Sequence, residues 1–273
     1  MADETYAARV ADHYAPDDLR AAFLAVLRSW GKEDALLTPE DLAPIDQFHV
    51  GGREATLALA ALAAITPTDR VLDVGGGFGG PARTIAAASG CAVTVLDLTE
   101  AYCQVGELLT ARSGLSDRVS FRHGDALAAP FPDASFDLVW TQHSSMNIAD
   151  KRGLYTEIAR LLRPGGRLAL YEIMAGPNGS PHFPVPWARD PAISFLQPPA
   201  TIRALLAELG FREERWEDLT PMVAAGFGRT AASSPPPGLH LVLGDDFLAR
   251  ARNLGRNLAE GRVALVRALL TRP

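Results

Sequence analysis

Two periods run through the pattern of apolar and polar positions. Helical spacing, with apolar residues returning every three or four positions, marks 18–29 (DLRAAFLAVLRS), 53–64 (REATLALAALAA), 81–89 (PARTIAAAS), 101–112, 151–166 (KRGLYTEIARLLRPGG), 200–209 and 245–260. Short apolar runs of strand length lie between them: VLDV (71–74), AVTVLDL (92–98), RVSFRHGDA (118–126), FDLVWTQ (136–142) and RLALYEI (167–173). Alternation of this kind predicts a mostly parallel sheet covered by helices. FREERWEDL (211–219) reads as a further strand. RVALVRALLT (262–271) fits a helix or a strand; a closing strand is preferred, because the sheet still needs an edge partner.

The rhythm breaks in three places. Between the first helix and Phe48 the chain reads as a polar, proline-containing stretch. Residues 177–199 contain seven prolines, which no regular crossover helix tolerates. Residues 220–244 are poorly patterned. The expected organisation is an N-terminal helical cap, 1–65, and an α/β domain, 66–273, with insertions at about 177–199 and 220–260. The cap and the proline-rich insertion are expected to act as a lid.

Chemistry concentrates at the end of the first strand, where VLDV runs into five glycines among residues 75–80. Bare backbone there permits a tight turn and close approach to a ligand, and a helix N-terminus with free N–H groups follows. Two readings compete. Gly75, Gly77 and Gly80 satisfy G-x-G-x-x-G, and Asp97 lies 20 residues after Gly77, as in dinucleotide sites. Asp73, two residues before the first glycine, would repel a pyrophosphate but accept a hydrogen bond from an ammonium group. A ligand with an amino acid at one end and a ribose at the other fits both acids.

On these residues the chain resembles the class I S-adenosylmethionine-dependent methyltransferases of the small-molecule type, the group of the glycine/sarcosine, tocopherol, sterol and quinone enzymes. Asp73-x-Gly75-x-Gly77-x-Gly79 is similar to the family's first motif. Asp97 matches its ribose-binding acid. Gly124-Asp125-Ala126 resembles the turn whose acid meets the adenine amino group, and Leu161–Gly166 the turn before the fifth strand. The resemblance spans about 66–219. It implies a Rossmann-like seven-stranded sheet with helices on both faces, and S-adenosyl-L-methionine as cofactor. Leu98 and Ala126 would flank the adenine, and Gln142 would also lie on the cofactor side.

The resemblance further implies that the residues after the fourth strand, TQHSSMNIADK (141–151), border the transferred methyl. His143 is the candidate general base, or else it orients the acceptor. Asn147 either contacts substrate or caps a turn. His49, beside Gly51-Gly52, is a second candidate on the cap side. Tyr14, Met146, Glu172 and Trp187 are expected substrate contacts, Trp187 with Phe183 forming either an apolar wall or a hydrophobic anchor for the insertion; His13 lies beside Tyr14. Asp150 is read as the cap of the helix that follows it.

Composition narrows the partners. The net charge is −6, with no basic stripe and no Asn-Pro-Pro-Tyr motif, which argues against nucleic acid and for a small-molecule acceptor. H-E-x-x-H and G-x-S-x-G are absent, so neither a zinc hydrolase nor a serine nucleophile is indicated, and no metal is expected. Cys91 and Cys103 form no C-x-x-C pair, and MADETYAARV lacks the features of a signal peptide. With no apolar run of membrane-spanning length, a cytoplasmic protein is expected. Acceptor element and oligomeric state stay open. The alternatives are an NAD-dependent oxidoreductase and a non-enzymatic module on a methyltransferase fold.

Overall fold

The computed structural model describes residues 19–230, 244 and 246–272. Strands β1 (Arg70–Val74), β2 (Ala92–Asp97), β3 (Val119–His123), β4 (Phe136–Gln142), β5 (Leu162–Ala175), β6 (Arg212–Asp218) and β7 (Val263–Thr271) form one sheet. Its spatial order is β3-β2-β1-β4-β5-β7-β6. The first five strands pair in parallel, and β7 lies antiparallel between β5 and β6. The strand expected over 262–271 is therefore present, but as an interior strand with β6 outside it.

Strand parity sorts the core. Val71, Leu138, Trp140, Ala169, Tyr171 and Ile173 point to one face. There they meet helices α3 (Gly52–Ala63) and α4 (Gly80–Ser89). Leu72, Val74, Val139, Leu168 and Leu170 point to the other, against α6 (Lys151–Leu161) and α7 (Pro199–Glu208). A third cluster joins α1 (Leu19–Ser29) and α2 (Pro39–Asp46) to α5 (Glu100–Arg112) around Phe78. Helices α8 (Thr220–Thr230) and α9 (Phe247–Ala259) follow β6.

Three expectations need correction. The stretch before Phe48 is not wholly irregular, because α2 lies in it. The signal was in the sequence: Thr38 accepts from the Asp41 N–H while the Asp41 carboxylate accepts from the Thr38 N–H, with Pro39 in the first turn. The helix expected over 151–166 ends at Leu161. The Arg163–Gly166 segment is already extended, and Gly165, at φ +74°, donates its N–H to the Arg272 carbonyl. Residues 220–230 are helical, whereas the Pro235–Pro237 corner lies outside the described residues.

The cap is joined to the core by a buried ion pair. Arg83 of α4 reaches Asp46 at the end of α2 (2.8 Å) and Thr110 of α5 (2.9 Å), with both charged side chains essentially inaccessible to solvent. A side chain on Gly80 would run into the Asp46 backbone, so glycine there permits the close approach of cap and loop.

Candidate active site

Parity places Asp73 on the same face as Val71, under the glycine loop. The carboxyl is 1% exposed, and its Oδ2 has no hydrogen-bond partner. Burial first, and the charge of Asp97 second, push its pKa up to about 8. The loop turns over it through Gly75 (φ +68°), whose N–H donates to the Leu96 carbonyl at 2.7 Å. A Cβ on Gly76 would lie 2.5 Å from the Asp73 carboxylate, and one on Gly75 would lie 2.5 Å from the Ser144 Cβ. The glycines thus let the loop lie against the acid on one side and the segment after β4 on the other.

Asp97 closes β2. Its Oδ2 accepts from the Gly77 N–H (2.9 Å) and its Oδ1 from the Thr99 N–H (2.9 Å), which ties the tip of the glycine loop to the second strand. Burial raises its pKa against these two bonds. Each carboxylate oxygen keeps a further lone pair for a ligand hydroxyl. Gly79 is the left-handed residue at the start of α4, where a Cβ would strike the Phe121 ring. Asp125 is exposed and holds the Leu127 N–H; Ala126, the next residue, and Leu98, which follows Asp97, are half-buried. Phe78 projects from the loop into the cap, with its ring edge-on to Phe23 and Phe48.

The segment after β4 begins at His143, a non-glycine residue at φ +53°. That backbone conformation costs about 1–2 kcal/mol and must be held by its surroundings. Its N–H donates to the Tyr171 carbonyl (2.9 Å), and its ring stacks on Tyr171 with centroids 5.2 Å apart. The ring of His49 stands edge-on 5.9 Å away. Burial keeps both imidazoles neutral: His49 is lowered to about 4, and His143 falls well below its ordinary value, with His49 a lesser cause. His143 Nε2 is buried without a partner. His49 Nε2 lies 2.9 Å from the Gly52 carbonyl and 3.1 Å from Thr56 Oγ1.

A polar chain that sequence reasoning did not find underlies the two histidines. Thr56 meets Gln47 and Gln142. The Gln142 Oε1 also accepts from the Trp140 indole, and the Gln47 amide donates to Thr84. Gln142 Nε2 is left without a partner. Thr56 sits among the alanines and leucines of α3, where only its inward helical position could have flagged it.

Other expected contacts serve the scaffold in this structure. Parity turns Glu172 away from Tyr171 to the α6 face, where it is fully buried and accepts the N–H groups of Ser144 and Ser145. It does not face the His49–His143 side. The Asn147 amide donates to the Trp187 and Ile193 carbonyls, both at 2.8 Å. Trp187 is buried, and its indole donates to Ser194. Met146 is buried as well, and its carbonyl accepts from Phe195. Asn147, Met146 and Trp187 therefore attach the proline-rich insertion to the segment after β4. Asp150 caps α6 through the Gly153 N–H. Tyr14 and His13 lie outside the described residues. Among the described residues no cluster of His, Cys, Asp and Glu is placed to hold a metal ion.

The strand order, with its one antiparallel insertion, coincides with a family match: residues 72–170 fit the methyltransferase domain. The matched segment is a methyltransferase domain. It is 28% identical over 248 residues to a glycine/sarcosine/dimethylglycine N-methyltransferase of Actinopolyspora halophila, covering 90% of this chain and 43% of that protein. It is 44% identical over 114 residues to a sterol 24-C-methyltransferase of Eremothecium gossypii, covering 42% of this chain and 31% of that protein. The chain thus spans less than half the length of either relative. The fold also matches a geranyl diphosphate C-methyltransferase from Streptomyces coelicolor A3(2), solved with Mg2+, geranyl diphosphate and S-adenosyl-L-homocysteine. The TM-score is 0.69 at 19% identity, over 98% of both chains. The matched segment runs from β1 through most of β5. It leaves the cap, the proline-rich insertion and β7 to other determinants.

Proposed function

We propose that this chain transfers a methyl group from S-adenosyl-L-methionine to a small-molecule acceptor. The observation that carries the reading is the contact between two loops: Gly75, in the turn over Asp73, has no room for a Cβ because Ser144, next to His143, lies against it. Cofactor loop and acceptor segment are then contiguous, as an in-line transfer between their ligands requires. The partnerless Asp73 oxygen suits the ammonium of the cofactor's amino-acid end, and Asp97 suits the ribose hydroxyls. Gly75, Gly77 and Gly79 supply the close backbone approach. Leu98, Asp125 and Ala126 line the adenine side, with Gln142 nearer the sulfur. The cofactor supplies an electrophilic methyl on a sulfonium.

His143 is the group on the acceptor side. Its neutral imidazole and free Nε2 can take a proton from an O–H, N–H or acidic C–H, or orient the atom that bears it. His49 and Tyr171 wall the same side. The buried free cysteines are compatible with a cytoplasmic location, and no described helix is long and apolar enough to cross a membrane.

Calorimetry with S-adenosylmethionine and with NAD tests the class. Saturable heat with the first alone is expected, and binding of NAD alone overturns the reading. For the chemistry, His143→Ala should lower single-turnover transfer of labelled methyl by about 10²–10⁴-fold with cofactor affinity nearly unchanged. Partial rescue at high pH marks a base, and retention of rate by His143→Asn marks an orienting group. A wild-type rate at every pH removes His143 from the mechanism.

A further inference from the structure

The groups that hold His143 in place are themselves unusual. Two ionisable side chains are buried on the α6 face of the sheet, directly behind the segment after β4: Glu172 is 0% exposed and Lys151 is 8% exposed. Among the described residues no ion pair within 4.0 Å joins them to each other or to a third group. Both hold the same short segment, Glu172 through backbone N–H groups and neighbouring hydroxyls. Glu172 accepts the Ser145 N–H at 3.2 Å, and the Ser144 N–H and hydroxyl at 3.4 and 3.5 Å. Lys151 Nζ donates to the Ser145 and Ile148 carbonyls, both at 2.5 Å. Ser145 is therefore gripped through its N–H by an acid and through its carbonyl by an amine.

The stability of α6 does not explain the lysine. Asp150 already caps that helix, and a cation in the first turn opposes the helix dipole. Burial is a second cost, which pulls the amine down to about 8 against the attraction of Glu172. An apolar side chain would fill the same space without either penalty. What the lysine adds is a donor for two carbonyls of a segment that follows a residue held at positive φ.

We propose that Lys151 and Glu172 are positioning residues, a two-sided clamp on Ser145 that fixes the 143–148 segment and so holds the His143 ring on Tyr171. The functional half of this inference rests on the methyl-transfer reading; the clamp does not. The full chain, labelled with carbon-13 at its six histidines, gives a His143 signal assigned by its loss in His143→Gln. In Lys151→Met that signal is expected to leave its ring-stacked position and move toward an exposed imidazole. Amide exchange at Ser144 and Ser145 should accelerate by about 10-fold or more, with the middle of α6 unchanged. Loss of global stability alone would accelerate exchange in the middle of α6 as well and would leave the His143 signal in place.

If Lys151→Met does not fold, Glu172→Gln decides by the same two measurements, since a carboxamide keeps shape but loses one acceptor oxygen. A folded variant with a wild-type His143 signal and wild-type exchange overturns the clamp. The variants are also assayed for labelled methyl transfer from S-adenosylmethionine into a small-molecule extract. If His143→Gln transfers at the wild-type rate while Lys151→Met releases the ring, the clamp stands and the methyl-transfer role of His143 falls.

Discussion

Cofactor binding should expel a proton from Asp73. The free protein holds this carboxyl buried, without a partner at Oδ2 and with a pKa of about 8, so at pH 7 about nine molecules in ten carry it protonated. An ammonium placed against it reverses the balance, because an opposite charge within a few ångströms favours the ionised form. If the bound-state pKa falls to 5 or below, binding releases about 0.9 proton at pH 7 and about 0.5 at pH 8. Isothermal titration with S-adenosylhomocysteine, in buffers of different ionisation enthalpy, reads this number from the slope of heat against buffer enthalpy. Affinity gives an independent check: it should tighten by about 9-fold from pH 6 to pH 7 and flatten above pH 8. Asp73→Asn should bring the released proton to about zero at every pH. Identical heats in all buffers for the wild type, or undiminished release in the asparagine variant, would refute the placement of the ammonium at Asp73. A carboxyl with a raised folded pKa makes the ligand-free protein lose stability as pH rises from about 4 to about 8, and ligand restores it.

Asp97→Ala should weaken cofactor binding by about 1–3 kcal/mol, measured by calorimetry; part of this loss is the Gly77 tether it removes. Asp46→Leu should cost about 3–5 kcal/mol in urea unfolding, because it strands the buried Arg83 guanidinium, whereas Asp46→Leu with Arg83→Met should recover most of it. Equal losses in the single and double variants would dismiss the pair as the cause. His49 is held near 4, so the unfolded chain binds a proton there that the folded one refuses. Its share of stability is complete above about pH 6.5 and is lost as pH falls toward 4, about 3 kcal/mol in all. Denaturation at pH 7 and at pH 4.5 should therefore show a smaller drop in His49→Gln than in wild type.

Sequence carried the sheet well because its signals are local. Each of the first five strands is a short apolar run bounded by turn residues, and Asp73, the glycines and Asp97 fall at strand ends wherever the exact boundaries lie. Reading failed where a position has meaning only across the fold. Glu172 was expected to face the crevice, yet a strand residue points opposite to its neighbour, and pairing of β5 with β4 puts Tyr171 on the His143 side. Asn147 and Trp187 each admitted a ligand and a structural reading, which sequence could not separate. Their partners, 40 residues apart in sequence, were invisible. Thr38 and Asp41 are the opposite case, since the capping pattern was local and legible and announced a helix that apolar spacing alone did not show.

The antiparallel strand also dictates the order in which the molecule is completed during synthesis. β6 pairs with β7 alone and not with the sheet formed before it. From Asp218 to Val263 the ribosome must add 45 residues, the difference of their numbers, which takes on the order of 2–9 seconds at cellular elongation rates. For that interval β5 has a bare edge and β6 has no neighbour. The composition of β6 suits the wait: Arg212-Glu213-Glu214-Arg215-Trp216-Glu217-Asp218 carries six charges in seven residues, and charged segments resist pairing with stray strands. The nascent chain thus keeps its late strand soluble until its partner emerges. A stop codon before Val263 would bare the β5 edge and leave β6 with no partner on either side, rather than trim an end.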